Sequence, residues 1–350
     1  MKAAVLHGKE DLRVEEVPEP VTGPGQVKIE NAYAGICGSD LHFYFAPESI
    51  PYDLTTPHPL TGAKLPQILG HEFSGTVVEV GDGVTDIAVG DRGAIYPVVA
   101  TCGGCSACRR GVPMTCALMG SLGANAVGGG LSRYVTVDAR QFHPLPDSVD
   151  LRTGALVEPM SVSWHGVERG GVQPGGAALV AGAGPIGIGT WFALAARGID
   201  RVLVSEPNAE RRATIAALGA RVVDPVTEDL AAAVAAVTDG EGLDAVFDAA
   251  GVGPAIESGV AHLAPNGRLV VLALHEHPMA LQPTDLMMAQ KEIVGAVGYQ
   301  PDEFGSVIAA MADGVYDTTG WVQECDLDDI VEAFHTLRAG SASKILIRSS

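Results

Sequence analysis

Four cysteines, Cys102, Cys105, Cys108 and Cys116, fall within fifteen residues as "CGGCSACRRGVPMTC", a C-x2-C-x2-C-x7-C array. Four soft thiolates in one lobe suit tetrahedral Zn²⁺, and four protein ligands leave no open position, so this zinc is expected to be structural. It would pin a loop that has no core of its own. A four-iron cluster is the alternative for four close cysteines, but no proline follows Cys116, as one does in the bacterial ferredoxin run. Free thiols are the third reading.

A second set is spread more widely: Cys37 in "GICGSDLH", His71 and Glu72 in "GHEFSGTVVEVG", and Glu158 in "ALVEPM". One thiolate, one imidazole and one carboxylate leave a fourth position for water or substrate, the mark of a catalytic zinc. Zn²⁺ with a thiolate, a neutral imidazole and one carboxylate is neutral overall. Losing the carboxylate leaves a net positive charge and a stronger Lewis acid, so Glu72 and Glu158 are expected to alternate at the metal. Each residue also has a plainer reading: a lone cysteine is usually a small core residue, and a glutamate before Pro159 can cap a helix. Cys325 and the loop carrying His275 and His277 are read as structural.

A third constellation is "VAGAGPIG", with Gly182, Gly184 and Gly187 in G-x-G-x-x-G order and Pro185 and Ile186 between them. It directly follows a predicted strand and directly precedes a predicted helix, the context that makes this motif a dinucleotide site. The first glycine permits the tight turn, the second lets the backbone approach a pyrophosphate, and the third lets helix and strand pack closely. Glu206 stands 22 residues beyond Gly184, at the end of the next strand. A carboxylate there accepts from ribose hydroxyls and repels a 2′-phosphate, which favours NAD over NADP. Arg211 either accepts a phosphate or stacks on adenine.

These residues need two kinds of scaffold. Up to about residue 150 the chain carries short alternating runs, "QVKIENAY", "GTVVEV" and "LSRYVTV", between Gly and Pro turns, which predicts an antiparallel β domain. From about 153 short apolar strands alternate with helical segments: "ALVA", "RVLVS", "ARVVD", "LDAVFDAA", "GRLVVLAL" and "EIVGAV". Six strands with helices between them describe a doubly wound parallel sheet. After 297, "EFGSVIAAMADG" predicts a helix and "KILIR" a last strand, a tail expected to return to the first domain.

A formal net charge of −20 disfavours nucleic-acid and anionic-membrane partners. The stretch 177–196 has twenty residues without a charge, but its glycines and Pro185 predict a buried strand, turn and helix rather than a membrane span. The apolar start of the chain is too short for the core of a signal peptide, so a cytoplasmic protein is expected.

In their order, "GICGSDLH", "GHEFSGTVVEVGDGV", "VGDR", the cysteine lobe, "ALVEPMSV" and "GAGPIG" resemble the zinc-dependent medium-chain alcohol dehydrogenases over essentially the full length. Within that family the long segment between His42 and Gly70, with "HPLTGAKLP" before the His-Glu pair, is most similar to the 2,3-butanediol dehydrogenase branch. Gly93 in "VGDRGAIYP" departs from the apolar β-branched residue expected there. The resemblance implies a GroES-like, mainly antiparallel catalytic domain over 1–152 and 298–350, and a Rossmann NAD-binding domain over 153–297. It also implies two zinc ions per chain, NAD, a small alcohol or hydroxyketone substrate and a homo-oligomer, dimer or tetramer. Ser39 would take the hydroxyl proton and pass it by way of the nicotinamide ribose to His42. Phe43 and Tyr44 either wall a small apolar pocket or pack in the core. A sorbitol-type polyol dehydrogenase or threonine dehydrogenase uses the same parts, and a non-catalytic NAD-binding zinc protein is the reading from another class.

Overall fold

A computed structural model describes residues 1–50 and 53–349. Pro51 and Tyr52, in the long segment between His42 and Gly70, and the terminal Ser350 lie outside the described residues. The chain opens with β1 (Lys2–Gly8), β2 (Asp11–Glu16), β3 (Gln26–Gly35) and the short helix α1 (Gly38–Phe45). There follow β4 (Gln67–Ile68), β5 (Glu72–Val80), β6 (Arg92–Ile95), β7 (Val98–Ala100), α2 (Ser106–Arg109), β8 (Gly120–Ser121), β9 (Tyr134–Asp138), β10 (Phe142–Pro144), α3 (Leu151–Gly154) and α4 (Val157–Gly170).

The rhythm then changes. β11 (Ala177–Ala181), α5 (Pro185–Ala196), β12 (Arg201–Ser205), α6 (Ala209–Ala217), β13 (Arg221–Val223), α7 (Leu230–Thr238), β14 (Leu243–Asp248), α8 (Gly253–His262), β15 (Leu263–Val271), α9 (Pro283–Ala289) and β16 (Glu292–Gly295) alternate strictly. The tail holds α10 (Pro301–Ala312), β17 (Val322–Asp326), α11 (Ile330–Arg338) and β18 (Lys344–Arg348).

The chain forms two compact units: residues 1–158, 300–312 and 322–350 make the first, and residues 159–299 and 313–321 the second. In the first, the strand order β10-β6-β5-β3-β18-β17, with β9 also on β3, builds a sheet that is antiparallel except between β17 and β18. Alternation along β3 and β5 turns Val27, Ile29, Phe73 and Val77 into one core with Phe334 of α11. Phe43 and Tyr44 belong to this core, Tyr44 edge-on to Phe334, so neither is free to wall a pocket. Gly93 of β6 lies under the Phe142 ring, where a Cβ would collide, which explains the missing β-branched residue.

In the second unit six parallel strands run β13-β12-β11-β14-β15-β16. β11 is buried along its whole length, as a strand covered by helices on both faces must be, and reads as a continuous apolar run. The uncharged stretch 177–196 is thus β11, a turn and the twelve-residue α5. Among the described residues no helix is long and apolar enough to cross a membrane.

Candidate active site and metal centres

Strand register assembles the wider donor set. β3 and β5 are antiparallel with Gly35 opposite Glu72. Cys37, two residues past Gly35, therefore meets His71, one residue before Glu72. Gly70 makes the entry possible: its φ of 92° suits glycine, and a Cβ there would come 2.9 Å from the Leu131 nitrogen. Donor atoms of Cys37, His71 and Glu72 all lie within 4.8 Å of one another, close enough to share one ion. Cys37 is the N-cap of α1.

Two residues that sequence reading missed complete the setting. Asp40, fully buried, accepts the Cys37 N–H at 2.9 Å and so fixes the start of α1. Its other oxygen, Oδ1, faces His71 Nδ1 at 3.7 Å, and both atoms are buried without a hydrogen-bond partner. Ligation at His71 Nε2 would put the ring proton on Nδ1, toward that carboxylate, the usual support of a metal-bound histidine. Lys344, the first residue of β18, donates to the Ile36 carbonyl at 3.0 Å and pairs with Glu72 Oε2. Gly35 leaves room for this pair: a Cβ there would press on that same Glu72 oxygen, which would have to shift.

Burial and neighbouring charges compete at the site. Burial alone would lower the His71 pKa, yet Asp40, Cys37 and Glu158 together hold it well above the usual histidine range. Burial likewise opposes charge on Lys344, and Glu72, Cys37 and Glu158 overcome it. Burial raises the Asp40 carboxyl. Glu72, Glu158, Asp40 and Cys37 thus gather around Lys344 and His71, an electron-rich set of donors to which a divalent cation is suited. Glu158, 8 % exposed in the first turn of α4, acts on His71 and Lys344 through its charge but stands outside the three-donor group. Ser39 Oγ lies 3.4 Å from His71 Nε2. His42 bonds Ser49 through Nδ1 at 2.8 Å, so the two residues of the expected proton path have separate partners.

The cysteine lobe hangs between β7 and β8, which pair and close its base. Four Zn–S bonds of about 2.3 Å at tetrahedral angles require sulfurs about 3.8 Å apart. Cys105 and Cys108 stand at 3.5 Å, and Cys102 and Cys108 at 4.0 Å. Backbone N–H groups aim at the sulfurs, from Cys108 to Cys105, Cys105 to Cys102 and Cys102 to Cys116. The first of these does most to bring the Cys105 thiol down to about 6. The donor set fits a closed, structural zinc.

In the second unit the three glycines of the turn differ in their reasons. Gly182 has φ of 100° and would press a Cβ to 3.0 Å from the Ala249 carbonyl. At Gly187 a Cβ would run into the Gly182 carbonyl, while Gly184, the N-cap of α5, faces open space. That space lies at the N-terminus of α5, which Pro185 and Ile186 open, and could receive a pyrophosphate. It belongs to a cavity of about 670 Å³ that Glu206 and Arg211 also line. Glu206 is 4 % exposed; its oxygens accept from Ala183 N at 2.7 Å and Asn208 N at 2.8 Å, each keeping a lone pair for a ribose hydroxyl. Arg212, another residue missed from sequence, grips the Glu206 and Pro207 carbonyls and pairs with Asp224.

Residues 23–147 match the family profile described as the alcohol dehydrogenase GroES-like domain, and residues 185–313 the one described as zinc-binding dehydrogenase. The (R,R)-butanediol dehydrogenase of Bacillus subtilis (strain 168) is 39% identical over 99% of both chains. The crystal structure of 2R,3R-butanediol dehydrogenase from Bacillus subtilis superposes with a TM-score of 0.92 at 37% identity, covering 100% of this chain and 99% of that one. An alcohol dehydrogenase from Escherichia coli CFT073, solved with NADH, gives a TM-score of 0.86 at 25% identity over 99% of each chain. Likeness of that depth over essentially the whole length means that the chain belongs to the zinc-binding alcohol dehydrogenase family.

Proposed function

We propose that the chain catalyses the reversible, NAD-linked oxidation of a vicinal secondary alcohol, 2,3-butanediol to acetoin, and the reduction of diacetyl or acetoin. The observation that carries this is the Cys37, His71 and Glu72 group, three donors that leave one position for a substrate oxygen. When bound, zinc supplies Lewis acidity that lowers the alcohol pKa, and NAD supplies the hydride acceptor. Cys37, His71 and Glu72 hold that metal, Glu158 is the carboxylate in reserve, and Asp40 orients His71. Cys102, Cys105, Cys108 and Cys116 hold the structural ion. Gly182, Gly184, Pro185, Ile186 and Gly187 receive the cofactor phosphates, with Glu206 and Arg211 at the adenosine, where Glu206 selects NAD.

The chain's own proton path starts at Ser39 Oγ and ends at His42 Nε2. Ser49 Oγ gives its one hydrogen to the Ala46 carbonyl at 2.7 Å, so it must accept from His42 Nδ1–H. The neutral ring then carries its lone pair on Nε2, ready to take a proton. NADH formation with each 2,3-butanediol stereoisomer, sorbitol and threonine tests the reading. The (2R,3R) isomer is expected to give the highest kcat/KM, in keeping with the names of the relatives. A higher value for sorbitol or threonine would move the chain to the polyol or threonine branch.

A homo-oligomer is part of the same reading. β16 is the outermost strand of its sheet, and exposed Leu274, Met287, Met288 and Val297 cluster in the neighbouring sequence. Light scattering that finds only monomer removes this element. The lobe thiolates must stay reduced to hold zinc, which supports a reading of the chain as cytoplasmic.

A further inference from the structure

Two arginines stand side by side just after Glu206, and both work against the preference that this carboxylate gives. An arginine beside the adenosine ribose is the usual receptor for a 2′-phosphate, so Arg211 and Arg212 ought to favour NADP. The structure separates their roles. Arg211 lines the cavity at Glu206, which Glu228 and Asp229 also line, so its one positive charge is outnumbered there. Arg212, the next residue of α6, turns away from that face. Its Nη1 donates to the carbonyls of Glu206 at 2.8 Å and Pro207 at 2.6 Å, and its Nη2 meets Asp224 Oδ2 at 3.0 Å.

Arg212 thereby ties two loops together. Glu206 and Pro207 follow β12, while Asp224 follows β13 and leads into Pro225 and Val226, which line the same cavity. Each anchor is fixed in its own right. The Glu206 N–H donates to the Val223 carbonyl at 3.1 Å, and Asp224 Oδ1 accepts from Val226 N at 3.0 Å. The Val226 N–H, with Arg212 adding its charge, holds the Asp224 carboxyl below the ordinary carboxylate range, so it stays ionised. The Arg212 guanidinium is thus committed to one carboxylate and two carbonyls.

We propose that Arg212 is the positioning residue for Glu206, and that its pairing with Asp224 sets the preference for NAD over NADP. Arg212 fixes the peptide that presents the Glu206 carboxylate to the ribose. Asp224 cancels the charge that a 2′-phosphate would otherwise meet. The inference rests on the NAD reading above and adds the ion pair on which the selectivity depends.

Calorimetric titration of zinc-loaded protein with NAD⁺ and with NADP⁺ tests it, beside thermal melts that verify folding. Asp224→Asn keeps shape and the oxygen that accepts from Val226, but leaves the guanidinium uncompensated. NADP⁺ should bind about fivefold tighter or more, with NAD⁺ within about twofold of wild type. Arg212→Met keeps the aliphatic stem and removes the clamp. It should weaken NAD⁺ about tenfold, the worth of one hydrogen bond, without any gain in NADP⁺. Arg212→Lys restores the charge and should recover part of the loss, which a role in packing alone would not allow. An unchanged ratio of the two affinities in Asp224→Asn, or an Arg212→Met protein that binds NAD⁺ as wild type does, overturns the assignment. If Arg212→Met does not fold, the ratio in Asp224→Asn decides by itself. Wild-type protein that binds neither ligand, or NADP⁺ as tightly as NAD⁺, overturns the cofactor reading instead, a distinguishable result.

Discussion

Glu72 stands between Lys344, which the structure provides, and the divalent ion that its neighbours call for. Both side chains are buried, 1 % and 3 % exposed, so neither charge can be left alone cheaply. Lys344→Met should destabilise metal-free protein by about 3–5 kcal/mol, because the carboxylate loses the lysine ammonium that it directly pairs with. Zinc-loaded protein should lose less, since the ion then faces the same carboxylate. Denaturant midpoints with and without chelator measure the difference, and an equal loss in both would mean that Glu72 does not serve the metal. This pair could not be read from the sequence, since 272 residues separate its members and no local pattern links them. Asp40 did leave a signal: a carboxylate three residues after Cys37, in the position from which a capping residue reaches back. Cys37, His71 and Glu72 themselves could be picked out because zinc chemistry restricts the residue types. Only the register of β3 on β5 says why they meet.

At the scale of elements, the turn between β11 and α5 separates folding from binding. Gly182→Ala should cost stability and cofactor affinity together, about 1–3 kcal/mol of the former, because φ of 100° and the nearby Ala249 carbonyl both oppose a Cβ. Gly184→Ala meets nothing within 4 Å, so its melting temperature should stay within a few degrees of wild type while NAD⁺ affinity falls at least tenfold. Thermal melts beside NAD⁺ titrations decide, and a Gly184→Ala protein that binds NAD⁺ normally would show that no phosphate lies there. The parallel strands were legible because burial on both faces leaves plain apolar runs between helices. The helix α1 was not read as an element of its own. At eight residues it is held by the cap at Cys37 and Asp40 and by Phe43 and Tyr44 in the core, rather than by any periodicity long enough to detect.

For the whole molecule, the donor groups of both metal centres belong to the first compact unit, and the glycine turn and Glu206 to the second. Metal loading and cofactor binding should therefore be separable. Wild-type protein is expected to hold two zinc ions per chain, and the ion with three protein donors should leave before the one with four thiolates when a chelator is added. His71→Ala removes a donor from the open centre alone. It should retain about one zinc per chain, lose butanediol turnover, and bind NADH within about twofold of wild type, since each ligand is held by its own residues. Elemental analysis, an activity assay and NADH fluorescence titration on one preparation test all three. A variant that kept two zinc ions, or turned butanediol over at the wild-type rate, would place the reacting centre elsewhere. NADH affinity reduced tenfold or more would show that the two units answer to each other, so that the metal centre helps to shape the cofactor site.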